Sequence, residues 1–205
     1  MREHFIINVG RQLGSGGRII GQQIAKDFEI GFYDKEILDL AARESGYKVE
    51  MFERNDEHKR FFKGLYYALT SPFCSGLGHN QLTDEALFKF QSDAIRKAAE
   101  QRSCLFVGRC ADYVLRDYVC SVNIFITADL DDRICRISTL RGISNDEAEK
   151  ICLEGDRQRA NYYNYYTTKK WGMAESYNLC INSSDLGIPA TIDVIEHFIS
   201  QKIRI

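Results

Sequence analysis

Residues 5–21 read Phe-Ile-Ile-Asn-Val-Gly-Arg-Gln-Leu-Gly-Ser-Gly-Gly-Arg-Ile-Ile-Gly, an apolar strand passing through a glycine-rich loop into an amphipathic helix. Few arrangements constrain a chain more. Gly14, Ser15, Gly16 and Gly17 let the backbone turn its N–H groups inward with little side chain in the way, and the helix that follows adds the positive end of its dipole. The loop therefore points to phosphate and nucleotide binding, with an ordinary strand-to-helix turn as the plain alternative. The strict Walker spacing, G-x-x-x-x-G-K-[ST], is not met: Arg11 stands five before Gly16, and Gly17 and Arg18 follow it. Without the lysine, Arg18 is the residue placed to supply positive charge, and Ile19 offers no hydroxyl to a Mg²⁺ ion. The dinucleotide spacing G-x-G-x-x-G also fails, because Ile19 stands where its third glycine belongs, although Asp34 lies at the distance where that fingerprint has an acidic residue. The strand is expected to end near Val9, which leaves a loop long enough to wrap a phosphate chain.

The rest of the chain alternates strands and helices. Ile20, Ile24 and Phe28 recur at helical spacing, and Ile30–Tyr33 reads as a short strand ending at Asp34. A helix is expected over 35–45, and residues 47–82 read as a helical or irregular insertion over the sheet. Leu87, Phe90, Ala94, Ile95 and Ala98 mark a helix beginning near Thr83 that leads to a strand at Cys104–Val107. A glycine-led turn, Gly108-Arg109-Cys110-Ala111-Asp112, opens a short helix. Val122–Thr127 is the next strand, 130–141 the next helix, and Ser144-Asn145-Asp146-Glu147 a capping box for a helix running beyond Tyr163. Asn178–Asn182 gives the last strand, and Pro189 opens a terminal helix. The pattern is that of an α/β domain with a mostly parallel sheet.

The 205 residues allow one sizeable core, and 27 basic against 29 acidic residues, a net charge of −2, give no overall attraction to nucleic acid or anionic membrane. Any anion site must be local. No apolar run approaches the length of a membrane span, and the first residues lack the apolar core of a signal peptide, so a cytoplasmic location is expected. Seven cysteines without a C-x-x-C pair read as buried thiols in a reducing compartment, and four scattered histidines give no metal cage.

In an open parallel sheet the ligand crevice lies beyond the C-terminal strand ends. Three polar groups are expected there: the Gly14–Arg18 loop, Asp34, and Arg109 with Asp112. Arg109 can fork a phosphate or carboxylate, and Asp34 or Asp112 can accept hydrogen bonds from a base, sugar or hydroxyl; a structural Arg–Asp pair is the competing reading. A second concentration, Asp156-Arg157-Gln158-Arg159 followed by Lys169-Lys170-Trp171, suits phosphoryl transfer, which needs donors that close over the migrating group. On one helix Arg157 and Arg159 lie about 200° apart, so both reach one ligand only if the helix breaks or bends. Arg133 and Arg136 either join this cluster or pair with neighbouring helices. Tyr162, Tyr163, Tyr165 and Tyr166 beside the two lysines could stack single-stranded nucleic acid, which the net charge argues against.

These residues resemble the cytidylate-kinase-like proteins, a branch of the P-loop nucleoside monophosphate kinases. Gly10–Arg18 resembles that branch's modified phosphate loop, and Phe32–Leu38 its second block. Val107–Tyr113 is similar to the glycine-arginine turn that contacts the monophosphate in cytidylate kinases. Asp156–Trp171 with Tyr177–Asn182 looks like the arginine-bearing lid and the strand after it. The resemblance implies a P-loop NTPase fold with a five-stranded, mostly parallel sheet, a small helical acceptor-binding insertion at 47–82 and a short lid at 154–172. It implies ATP and Mg²⁺ as well, with Gly14, Ser15, Gly16, Gly17 and Arg18 on the donor phosphates, Asp34, Arg109 and Asp112 near the acceptor, and Arg18, Arg157 and Arg159 as catalytic groups. The kinases of that branch carry lysine and a hydroxyl residue where this chain has Gly17 and Ile19. The expected activity is phosphoryl transfer from ATP to a nucleoside monophosphate or related small acceptor; a nucleotide sensor without catalysis and a dinucleotide-dependent oxidoreductase are the alternatives. The expected partners are small nucleotides, with no nucleic acid or membrane.

Overall fold

Five parallel strands form one sheet in the order β2-β3-β1-β4-β5, with β1 (Ile6–Arg11) in the middle. The computed structural model describes residues 4–34 and 84–203. The helix expected over 35–45 and the insertion expected over 47–82 lie outside the described residues. In chain order β1 is followed by α1 (Gly17–Asp27), β2 (Gly31–Tyr33), α2 (Asp84–Gln101), β3 (Cys104–Val107) and α3 (Ala111–Val114). After these come β4 (Ser121–Thr127), α4 (Leu130–Arg141), α5 (Asn145–Tyr166), β5 (Leu179–Asn182) and α6 (Ser183–Ile203).

Because successive strand residues face opposite sides, one face of the sheet sends Ile7, Val9, Leu105, Val107, Ile124 and Ile126 against Ile20 and Ile24 of α1 and Ile195 and Ile199 of α6. The other face sends Ile6, Cys104 and Phe106 against Ile95, Ala98 and Ala99 of α2 and the short α3. Strands covered on both sides read as near-continuous apolar runs, which is why β3 and β4 are easy to find in the sequence. A smaller cluster joins Ile137 of α4 to Ala148 and Cys152 of α5, with Leu13 of the glycine loop packed against it. That contact seats the loop on the α4–α5 pair.

Ser144 caps the helix as expected, its Oγ accepting the Glu147 N–H at 3.3 Å. The terminal helix differs from expectation: its helical path begins at Ser183, breaks at Gly187 (φ 72°) and resumes with Pro189 in its first turn. Cys104, Cys110 and Cys152 are buried as expected, but Cys135 and Cys180 are exposed, on α4 and on the edge strand β5. No helix among the described residues is long and apolar enough to cross a membrane.

Candidate active site

The first correction concerns β1, which runs to Arg11 rather than ending near Val9. Gly10 and Arg11 stay in register with Phe125 and Ile126 of β4. Gly10 fits because a Cβ there would stand 2.7 Å from the Phe125 ring. The glycine loop is therefore short, and it begins from a charged strand end.

Gly14 and Gly16 both take left-handed conformations, with φ of 82° and 78°. Among the described residues the N–H groups of Gly14, Gly16, Arg18 and Ile19 donate to nothing, so an array of unpaired donors lies at the start of α1. Such an array fits the oxygens of a phosphate. Ser15 is fully buried and looks inward, its hydroxyl donating to Gln12 O at 3.0 Å and accepting the Gly17 N–H at 3.4 Å. The loop is held from behind. Asp156 of α5 accepts the Leu13 N–H at 2.7 Å and pairs with Arg133, which also donates to Leu13 O at 3.3 Å. Arg136 donates to Gly14 O, and Ser183 Oγ to Ser15 O at 2.8 Å. Of the two readings the sequence left open, Arg133 takes the second, pairing with Asp156 of the neighbouring helix α5, and both Arg133 and Arg136 also support the loop, which neither reading expected.

In front of the loop lies a group of arginines. Arg18 Nε donates to Asp34 Oδ2 at 2.7 Å, and Arg11 approaches Asp34 Oδ1 at 3.6 Å. Arg159 reaches in from α5, donating to Arg11 O at 3.3 Å. The Arg11 guanidinium lies against Gly108, where any Cβ would overlap its NH1 atom. Burial, then repulsion from Arg159, Arg109 and Arg18, outweighs the attraction of Asp34 and holds the Arg11 guanidinium down at about 9.

The turn after β3 is strained, since Gly108, Arg109 and Cys110 are successively left-handed with φ of 78°, 62° and 56°. For the two non-glycine residues that costs on the order of 1 kcal/mol or more each. The turn brings Arg109 within electrostatic range of Arg11.

A model of the cytidylate kinase-like family matches residues 6–185. The chain belongs to that family. An uncharacterized protein from Eubacterium ventriosum ATCC 27560 is 26% identical with a TM-score of 0.73, over 96% of this chain and 99% of that one. The shikimate kinase of Bacteroides thetaiotaomicron superposes with a TM-score of 0.54 at 12% identity, over 98% of this chain and 99% of its own. That of Acinetobacter baumannii, solved with shikimate, gives 0.52 at 11%, over 98% and 95%. A search of curated proteins gives no match. The fold is that of the P-loop kinases, and the family is one of kinase-like phosphotransferases.

Within this cytidylate kinase-like chain the remaining candidates separate. Because α5 runs unbroken to Tyr166, Arg159 faces the loop while Arg157 points away, 65% exposed and paired with Glu154. Asp112 is buried and accepts the Tyr163 hydroxyl at 2.6 Å, so its partner is a tyrosine rather than Arg109. Tyr162 and Tyr166, both half-buried, pack on Phe88 of α2, with the Tyr166 ring stacked at 4.1 Å, while Tyr165 is exposed. Arg11 and Asp156 escaped as functional residues, though Arg11 occupies the Walker pattern's first glycine position and a charged residue there was the available signal.

Mg²⁺ does not fit this loop. Ile19, where a hydroxyl residue is expected, offers no oxygen, and the neighbouring carboxylates Asp34 and Asp156 are both engaged by arginines. No group of three or more His, Cys, Asp or Glu among the described residues is placed to hold a metal.

Burial pushes the Asp112 carboxyl up, against the opposing pull of the Tyr163 hydroxyl. A carboxyl raised in the folded state stabilises the fold below its free value and loses that contribution as pH rises through its folded one. Asp112→Asn keeps an acceptor for Tyr163 and removes the charge. The variant is expected to melt higher than wild type at pH 8 and to lose that advantage near pH 4, in thermal denaturation at both values; equal differences at the two would count against a buried charged Asp112.

Proposed function

We propose that this protein transfers the γ-phosphoryl group of ATP to a nucleoside monophosphate, cytidylate-like, or a related small acceptor. The observation that carries this reading is the group of arginines gathered around Arg11 at the C-terminal end of the sheet, where Arg11 and Arg18 meet Asp34, Arg159 donates to the Arg11 carbonyl and Arg109 lies within electrostatic range. In phosphoryl transfer, negative charge spreads over the migrating group's oxygens, and positioned positive charge does most of the catalytic work. The unpaired N–H groups of the loop hold the donor phosphates. Arg11 and Arg159 lie where donor and acceptor meet, and Arg109 and Asp34 receive the acceptor. The bond from the γ-phosphorus to the bridging oxygen breaks, ADP leaves with that electron pair, and an acceptor oxygen forms the new bond. A phosphate-oxygen acceptor needs no base. With a hydroxyl acceptor, Asp34 takes the proton as it releases Arg18.

A nucleotide-binding protein without turnover is the second reading, and Gly17 favours it: the loop lacks its lysine, and even a Cβ at Gly17 would stand 2.6 Å from the Arg11 Cβ. ADP release should be followed against CMP, dCMP, UMP and a hydroxyl acceptor such as shikimate, with Arg159→Ala as control. Acceptor-dependent release that falls at least about a hundredfold in the control is the expected result. Tight ATP binding with no turnover on any acceptor selects the second reading.

A further inference from the structure

Resting on the reading that Arg109 and Arg159 meet the acceptor, we propose that Tyr163 and Asp112 are positioning residues: their buried hydrogen bond fixes the turn that carries Arg109 against the helix that carries Arg159. Arg159 and Tyr163 are four residues apart on the unbroken α5, so they share one face of it, a turn apart. Arg109 and Asp112 are three apart, the first on the strained turn and the second in the first turn of α3. The 2.6 Å bond from the Tyr163 hydroxyl to Asp112 Oδ2 therefore joins the two arginine-bearing segments close to both arginines.

Three observations support this role. Both partners are buried, with Tyr163 5% and Asp112 7% exposed, and burial pushes the carboxyl and the phenol up. An apolar pair of the same shape would hold the segments together without that cost, but would not fix their distance and direction. Next, α3 is only four residues long and follows two non-glycine residues in left-handed conformations. Such a backbone keeps its shape only where its surroundings over-determine it. Ala111 and Val114 bury the apolar side of α3 in the core, and Asp112 ties its polar side to α5. Finally, the Tyr163 ring is stacked beside that of Tyr177 with centroids 6.3 Å apart, and the Tyr177 hydroxyl accepts the Gly172 N–H at 3.4 Å, which steadies the aim of the Tyr163 hydroxyl.

The test is steady-state ADP release by the full chain on CMP, dCMP, UMP and shikimate, taking the acceptor that wild type turns over best and varying ATP and that acceptor in turn. Tyr163→Phe combined with Asp112→Leu removes both polar partners at nearly constant shape, so it strands no buried carboxylate, and thermal denaturation checks that it is folded. The expected result is a kcat/KM for the acceptor at least about tenfold lower, with KM for ATP within about twofold of wild type. Asp112→Asn, which keeps an oxygen for the Tyr163 hydroxyl and removes the charge, is expected to stay within about threefold of wild type on the acceptor. A smaller loss in the folded double variant overturns the proposal and leaves the phosphotransferase reading standing. So does a greater loss in Asp112→Asn, which assigns the effect to the charge, or a KM for ATP that rises further, which spreads it to the whole site. Where the double variant does not fold, Tyr163→Phe alone is read against the same outcomes. If wild type releases no ADP on any of these acceptors, the phosphotransferase reading falls, and this inference with it.

Discussion

Arg11→Met is expected to abolish ATP binding while raising the melting temperature of the ligand-free protein. The folded protein holds this guanidinium well below its free value, at about 9, so its charge costs stability throughout the neutral range. Methionine keeps the apolar stem and removes the charge. Asp34 retains Arg18, and the Arg159 bond is to the Arg11 carbonyl, so neither contact is lost. Wild type at about a hundred times Kd of ATP should gain roughly 2.7 kcal/mol, which is about 5–10 °C for a chain of this length. The variant should gain none. Thermal denaturation with and without ATP reads both effects. A variant that melts lower than wild type and still responds to ATP would show that Arg11 serves the fold rather than the anion.

Asp156→Ala should be the most damaging substitution for stability. Arg133 has a side chain only 6% exposed, and Asp156 is its carboxylate partner. Removing one member of a buried pair leaves the other charge uncompensated, at a cost of about 3–5 kcal/mol. The Leu13 N–H loses its acceptor as well. Against a total stability of roughly 5–15 kcal/mol the loss is large, and urea denaturation should show the midpoint falling sharply. Adding Arg133→Met should recover a good part of it, because the double variant removes the stranded charge; strictly additive losses would mean that the two residues act apart.

How legible all this was in the sequence depends on how far each residue's partner lies along the chain. The helix expected over 130–141 and the strand at Cys104–Val107 are found with those bounds, since acidic residues open the first and an unbroken apolar run makes the second. Gly10 and Arg11 mislead because a glycine followed by a charge looks like a turn; pairing with β4 overrides that local signal, and burial of Arg11 goes unseen with it. Arg157 and Arg159 are separable by helical angle alone, and the unbroken α5 chooses Arg159. The Asp112–Tyr163 bond joins residues 51 positions apart, and no local pattern announces it. Asp156 was visible as part of a charged cluster, but its hold on Leu13 depends on packing between α5 and the loop.

The central position of β1 bears on how the chain acquires its structure. Ile6 pairs with Cys104 on one side and Ser121 on the other, so β1 is held by strands that are synthesised much later. Pairings so distant in sequence make folding slow and leave early segments waiting with apolar surface uncovered. The glycine loop waits longer still, since its floor includes Ser183 and Ile188 from the last helix. During synthesis the ability to capture nucleotide should therefore emerge abruptly, once α6 has left the ribosome, rather than growing with chain length.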